Sequence, residues 1–174
     1  ALKGETPLYV ARGNHEMRGR DAIRWIDCFA TPTGETYYSF TVGTNFFIVL
    51  DSYEDKPDDD INYNGKLVTE PFWKKESHWL RSVLDSEECR NAERRIVFCH
   101  IPPDRKGWNG NRNVSEYFVP LLNEAKVDMM FSAHIHKWAL YPAGDSGTGA
   151  LFPIVVNPNR ERMEVTLYPD TVEI

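Results

Sequence analysis

The sequence predicts a domain of the mixed α/β class, in which helices and strands interleave and the sheets are mixed. Two observations support this prediction. Short apolar segments typical of strands outnumber the stretches with helical periodicity, and the two kinds of segment alternate along the chain. At 174 residues, with 41% hydrophobic and 26% charged residues, the chain is long enough to bury the core of one domain.

Seven segments have the composition of strands. They are residues 7–11, 37–42, 45–50, 95–99, 128–132, 151–156 and 163–167. The dipeptide Gly43-Thr44 between the second and third of these is typical of a tight turn, so those two segments are predicted to pair.

Two stretches are predicted to be helical. The longer runs from Thr69, which can cap it, to about Ser86, and Pro71 suits its first turn. One face of this helix is apolar and carries Trp73, Leu80, Val83 and Leu84. A shorter helix is predicted at 118–125, with Pro120 near its start.

The charge and the apolar runs exclude some classes of protein. A net charge of −6 and a pI near 5.4 argue against a nucleic-acid-binding surface. No apolar run approaches the roughly 18 residues of a membrane span. The three cysteines, Cys28, Cys89 and Cys99, lack metal-ligand spacing and are predicted to be free thiols, which leaves the compartment open.

Two charged segments are interpreted as solvated. The acidic loop 54–60 could hold a cation, but a surface loop is the preferred interpretation. Of the clustered arginines, Arg20 and Arg24 are assigned to an exposed face, although a local basic pocket stays open as an alternative.

Four of the five histidines follow predicted strands at the point where each strand ends. These four are His15, His100, His134 and His136, whereas His78 lies inside the long helix and is interpreted as structural. Strand ends carry functional groups in α/β proteins because the scaffold below them is rigid. Three separate strands that each deliver histidine to a loop therefore predict a functional site.

The pattern His134-Ile135-His136 indicates a metal site or a pair of surface histidines, and both interpretations stay open for the motif alone. In an extended segment, residues two apart point to the same side, so both imidazoles would face one pocket. Imidazole suits zinc, iron, nickel and copper.

The run Gly13-Asn14-His15-Glu16 strengthens the metal interpretation. Glycine allows a sharp turn after the preceding segment, and an asparagine oxygen is a neutral hard ligand. The adjacent His15 could protonate a leaving oxygen, and Glu16 could fix the tautomer of that imidazole.

These blocks, in this order, resemble the signature of the calcineurin-like metallophosphoesterases, the group of purple acid phosphatases and Ser/Thr protein phosphatases. The chain matches the last three blocks of that signature, Gly-Asn-His-Asp/Glu, a lone His, and Gly-His-x-His, and the match covers most of its length. The resemblance implies a sandwich of two mixed sheets with helices outside. It also implies hydrolysis of a phosphoester substrate by two ions of manganese, iron or zinc.

The resemblance assigns four metal ligands. Asn14 and His100 resemble ligands of the second metal, and His134 resembles a further ligand of that ion. His136 resembles the histidine that binds the first metal.

Three further residues acquire catalytic roles by resemblance. His15 is similar to the catalytic histidine, which faces the phosphate and the leaving group without binding metal, and Glu16 would orient it. Arg12 is similar to the phosphate-contacting arginine of the protein-phosphatase branch, with a surface role as the alternative. The loops at 55–68 and 104–114, including Trp108, are candidates for the pocket mouth.

The chain departs from the family pattern in two ways. Ala133 stands where the family has glycine, and the two aspartate-bearing blocks that should precede Gly13 have no match. We therefore expect residues 1–174 to be the C-terminal portion of a single phosphoesterase domain that lacks its N-terminal strands and is inactive alone. An exposed sheet edge would then favour self-association.

Two other functions remain as alternatives. The first is a non-catalytic phosphoesterase-like domain that binds a ligand, and the second is a mononuclear zinc module. The zinc module requires a fourth ligand that the sequence does not provide.

Overall fold

The computed structural model describes residues 6–174, and its centre is a mixed sheet of six strands. The strands are β1 (Tyr38–Val42), β2 (Asn45–Leu50), β3 (Arg94–Cys99), β4 (Met129–Ser132), β5 (Ala139–Tyr141) and β6 (Ile154–Val156). Their order is β1-β2-β3-β4-β6-β5; the inner four are parallel, and β1 and β5 pair antiparallel at the edges. This arrangement confirms the mixed α/β class.

A second, smaller sheet follows at the end of the chain. It consists of β7 (Thr166–Leu167) and β8 (Val172–Glu173), which pair antiparallel. Of the strand predicted at 163–167, only the last two residues form a strand, and that strand lies outside the main sheet. The segment predicted at 151–156 is a strand only from Ile154, because Pro153 and the turn before it interrupt the extended run.

The helices surround the central part of the sheet. They are α1 (Trp25–Cys28), α2 (Glu70–Leu84), α3 (Glu87–Asn91), α4 (Asn109–Asn113) and α5 (Val119–Glu124). Short 3₁₀ helices occupy Ala22–Arg24 and Ile61–Tyr63, and a π-helical turn occupies Val114–Phe118. Both predicted helices are confirmed as α2 and α5. Within the described residues 6–174, no helix is both long and apolar enough to traverse a bilayer.

The start of α2 differs from the prediction. Thr69 precedes the helix, and Pro71 lies in its first turn as expected. The Thr69 side chain, however, makes no capping bond; its hydroxyl donates to Asp58 Oδ1 at 2.7 Å. The carboxylate of Asp58, eleven residues upstream, thus binds the hydroxyl that was predicted to cap the helix.

The predicted strand at 7–11 is wrong. The segment is extended but pairs with no strand among the described residues. Instead, the Val10 N–H donates to the Tyr38 hydroxyl at 2.8 Å, which donates back to the Val10 carbonyl at 3.2 Å. Tyr9 stacks on Phe40 with 3.6 Å between ring centroids. One side chain satisfies the polar groups that a neighbouring strand would otherwise satisfy.

The two faces of the main sheet are covered unequally. One face forms the principal core with the helices, and its largest buried side chains include Trp73, Leu80 and Phe118. On the other face, Ile96, Phe131 and Val155 are buried beneath half-buried neighbours. Alternate residues of each strand supply the two faces, as the pleat requires.

Candidate metal centre

A cavity of about 610 Å³ lies at the carboxyl ends of β3 and β4 and gathers most of the predicted site residues. The four histidines at segment ends and Asn14 all line it, together with Glu16. His100 directly follows β3, and His134 follows β4 after one residue. The prediction that the parallel strands deliver these histidines to one place is therefore fulfilled.

His100 and His134 lie against each other. Their rings meet edge to face, with 5.3 Å between centroids. Burial, together with the nearby His100 and His136, lowers the pKa of His134 to about 4. Burial also lowers the pKa of His100, against the opposing effect of Glu16. Both rings are therefore neutral at pH 7, which is the form with a lone pair for a metal ion.

Asn14 is the buried residue that fits a metal site best. It is 1% exposed, and neither its amide oxygen nor its amide nitrogen has a hydrogen-bond partner among residues 6–174. An unpaired buried amide costs about 1–3 kcal/mol, so a missing partner is implied. The oxygen of an asparagine side chain is a suitable ligand for a divalent ion.

Gly13 lets the backbone approach the histidines. A Cβ at this position would lie 2.8 Å from Glu16 Oε2 and 3.1 Å from the His100 ring. A side chain here would force the loop that carries Asn14 away from His100. The backbone of Gly13 does not adopt a positive φ, so conformational freedom does not require glycine here. The lack of room for a side chain does.

The His134-Ile135-His136 segment is not extended, so the reason given for its two histidines facing one pocket is wrong. Both histidines adopt the left-handed region, with φ of +66° for His134 and +56° for His136. Non-glycine residues occupy this region at a cost and do so mostly at functional sites. Both side chains line the cavity because the loop coils rather than because a strand alternates.

His15 and Glu16 both line the cavity and are exposed to solvent. The Glu16 carboxylate accepts a hydrogen bond from the Gly13 N–H at 3.0 Å and lies against His100. No hydrogen bond joins Glu16 to His15 in the described part of the chain. In this structure Glu16 thus fixes the turn rather than the tautomer of His15.

Arg12 does not line the cavity, nor is it on the surface. It is 8% exposed and forms an ion pair with the fully buried Asp51 at 2.6 Å, while Thr36 also donates to that carboxylate. Burial raises the pKa of Asp51, although Arg12 opposes the effect. Arg12 therefore anchors the segment that leads to Asn14, and direct contact with phosphate stays a prediction.

The acidic loop contributes to the site, contrary to its interpretation as solvated. Glu54 and Asp55 are buried, and Arg18 bridges them with N–O distances of 2.6 and 2.7 Å. Asp55 lines the cavity, with its Oδ2 at 3.9 Å from His134 Nε2. Sequence analysis missed this cluster because its members are 36 and 37 residues apart.

Comparison with known proteins places this site in a family. The family model of the calcineurin-like phosphoesterases matches residues 1–138. The chain belongs to the calcineurin-like phosphoesterase family. As expected of a calcineurin-like phosphoesterase, the Gly-Asn-His-Glu run and both later histidine blocks fall inside the matched region.

The curated relatives of this calcineurin-like phosphoesterase are named phosphatases. The mouse serine/threonine-protein phosphatase CPPED1 is 28% identical over 79% of this chain and 44% of its own length. Purple acid phosphatase 22 of Arabidopsis thaliana is 25% identical over 79% of this chain and 32% of its own length. The chain thus spans less than half the length of these relatives.

One solved structure shows a distant likeness. A purple acid phosphatase from yellow lupin seeds has a TM-score of 0.47 at 16% identity, covering 83% of this chain and 27% of that chain. This value is too low to support any conclusion.

The residues present fit part of a metal site. One cavity is lined by Asn14, His100, His134 and His136. The buried amide of Asn14 has no hydrogen-bond partner among residues 6–174, so its oxygen is free to bind an ion. Nevertheless, no group of three or more His, Cys, Asp or Glu residues among residues 6–174 has an arrangement that could hold an ion. All four proposed donors are neutral, and the carboxylates that line the same cavity are those of Glu16, Asp55 and Asp104.

Proposed function

We propose that this chain carries half of a two-metal phosphoesterase site and that the intact protein hydrolyses phosphoesters. The observation that carries the proposal is the cavity shared by Asn14 and the histidines, in a chain of the calcineurin-like phosphoesterase family. We assign Asn14, His100 and His134 to one ion and His136 to the other. Manganese, iron or zinc suits such a mixture of oxygen and imidazole donors.

The protein residues have separate tasks in the proposed reaction. When bound, the two ions would activate a water and neutralise charge on the phosphoryl oxygens. We assign to His15 the donation of a proton to the leaving oxygen, since it lines the cavity and is open to solvent. The bond from Gly13 N–H to Glu16 supports a positioning role for Glu16, because it fixes the turn that carries Asn14 and His15.

We propose further that the bridging carboxylate comes from outside this chain. Each of the three carboxylates that line the cavity accepts a hydrogen bond through one oxygen, Glu16 from the Gly13 amide, Asp55 from Arg18 and Asp104 from the Lys106 amide at 2.9 Å, and none forms an ion-holding group with the histidines among residues 6–174. The curated relatives are more than twice as long as the aligned part of this chain, which leaves room for such residues.

The test separates ligands from the proton donor in the intact protein. His134→Ala should lower both the metal content and the rate of hydrolysis. His15→Ala should lower the rate by roughly 10²–10⁴-fold while the metal content is kept. Elemental analysis beside turnover of a generic phosphoester measures both, and His78→Ala, an exposed histidine of α2, is the matched control.

Two outcomes would contradict the proposal. If His15→Ala lost metal as fully as His134→Ala, the role of His15 would be wrong. If the unaltered protein bound metal but hydrolysed no phosphoester, a non-catalytic binding domain would be the better description.

A further inference from the structure

An exposed tryptophan stands at the wall of the cavity. Trp108 lines it together with His15 and His134, yet the residue is 69% exposed. Its ring meets His134 edge to face with 6.4 Å between centroids. Most of the Trp108 side chain is thus open to solvent, with its ring centroid 6.4 Å from that of a proposed metal ligand.

The loop that holds Trp108 is fixed by hydrogen bonds. The Trp108 N–H donates to Asn111 Oδ1 at 3.2 Å, and the Asn111 amide nitrogen donates to the Pro102 carbonyl at 2.7 Å. A Cβ on Gly107 would lie 2.8 Å from the Asn111 side chain, so the turn is closely packed. Because the loop is already ordered, little conformational entropy is lost when a ligand stacks on the ring.

The rest of the wall is apolar or negative. Pro102, Pro103, Ile135 and Tyr141 supply apolar surface beside Trp108. Among the described residues that line the cavity, no lysine or arginine occurs, whereas three carboxylates do. A leaving group with further phosphates or carboxylates would meet repulsion here, and a flat uncharged one would not.

We propose that Trp108 is a stacking platform for the leaving group and that the site favours phosphomonoesters of planar aromatic alcohols. This inference rests on the proposed function. Hydrolysis breaks the bond between phosphorus and the ester oxygen, and water supplies the new oxygen of inorganic phosphate. The leaving aryl oxygen takes the proton of His15 and departs as a phenol, while its ring remains against Trp108.

The experiment compares 2-naphthyl phosphate, phenyl phosphate and glycerol phosphate as substrates of the metal-loaded intact protein. The two aryl esters have similar leaving groups, so a difference between them reports on the size of the stacked ring. Trp108→Ala should lower kcat/KM for 2-naphthyl phosphate about tenfold, by analogy with loss of an aromatic stacking partner. The effect should be smaller for phenyl phosphate and less than about twofold for glycerol phosphate.

Two variants control for the fold of the loop. Trp108→Phe should restore most of the naphthyl preference, because it keeps a planar ring. Trp138→Ala removes another tryptophan, 60% exposed and outside the cavity, and should leave all three rates unchanged. Equal losses on all three esters with Trp108→Ala, or no loss on 2-naphthyl phosphate, would overturn the inference.

A binding measurement separates this inference from the proposed activity. Calorimetry with non-hydrolysable 2-naphthylphosphonate should give a Kd that rises about tenfold in Trp108→Ala and does not change in Trp138→Ala. If no ester is hydrolysed by any form of the protein, the proposed function fails. The phosphonate affinities would still decide the role of Trp108, and an unchanged Kd in Trp108→Ala would reject it.

Discussion

The two faces of the six-stranded sheet are built from similar residues but are covered very differently. On the helical face, twenty buried residues form one continuous core, whereas on the opposite face only three of the described residues are buried in a cluster. That second face is nonetheless strongly apolar. Phe40, Phe47, Phe98 and Phe131 stack across four strands with centroid distances of 5.0, 6.4 and 5.5 Å.

The second face is thus as apolar as a buried protein core, yet the described residues cover it only in part. Parallel strands are normally buried on both faces, whereas among residues 6–174 the second face is covered only in part, by Tyr9 stacked on Phe40 and by Met163, Leu167 and their neighbours. The expectation of a two-sheet sandwich explains this composition.

The largest expected effect concerns completion of the site. The 174-residue chain alone should bind divalent metal weakly and hydrolyse a generic phosphoester at the background rate, because its proposed ligands are all neutral. A version extended upstream to include aspartates should bind metal and be active. Metal titration and a phosphatase assay on both forms measure this. Equal activity of the two would show that a carboxylate lining the cavity, such as Asp55 or Asp104, completes the site.

A matched pair of substitutions measures the difference in covering directly. Phe118→Ala on the helical face should cost about 3–5 kcal/mol of unfolding free energy, because the side chain is fully buried. Phe98→Ala on the open face should cost less than about half as much, since the ring is only half-buried. Urea unfolding of the chain gives both values. Equal costs would mean that the open face is covered in solution.

Much of the sheet was predictable from sequence because its inner strands are continuous apolar runs. Arg94–Cys99 and Met129–Ser132 were found within one residue of their ends. Ala139–Tyr141 was missed, since three residues at an edge carry too little pattern. The segment 7–11 was misassigned because strand composition does not reveal whether a partner is available.

The convergence of the candidate site residues was predictable from sequence, but their backbone geometry was not. Asn14 and the strand-end histidines converge because the order of strands brings them together. The left-handed backbone of His134 and His136 could not be predicted from residue type, because histidine tolerates that region but does not require it. The burial of Asp55 depends on Arg18, a contact between distant parts of the chain.

A smaller effect is expected from the buried charges at the edge of the helical side. Burial acts to raise the pKa of Glu54, but hydrogen bonds, chiefly from Arg18, outweigh it and lower that pKa from 4.5 to about 2. The folded value lies below the unfolded one, so this stabilisation is complete above about pH 4.5 and disappears as the pH falls toward about 2.

Arg18→Met tests this contribution. At pH 7 it should cost about 2 kcal/mol, and the cost should shrink as the pH falls through the window below 4.5. Chemical unfolding at several pH values measures it. Arg20→Met is the control, because that side chain is 93% exposed and should contribute less than about 0.5 kcal/mol. A cost independent of pH would contradict the role of Glu54.

The smallest expected effect is on association of the chain with itself. β5 is an edge strand, and its Leu140 is 52% exposed. Leu140→Lys should weaken self-association several-fold, because a lysine on an edge strand opposes pairing with another chain. Sedimentation at a series of concentrations measures it, with Leu151→Lys in a loop as control. An unchanged association constant would show that the chain does not associate through β5, and the open aromatic face would be the next surface to test.

The left-handed backbone at His134 and His136 also restricts how this site can evolve. Besides glycine, the residues that tolerate this conformation best are asparagine, aspartate and histidine itself, whereas β-branched residues are excluded. Asparagine and aspartate are oxygen donors. Drift at either position would therefore exchange nitrogen for oxygen around the ion and move metal preference toward harder cations such as manganese or magnesium. Glycine apart, the backbone thus favours replacements that still offer a donor atom, so at these two proposed ligands a change of metal preference is more accessible than it would be on an unrestricted backbone.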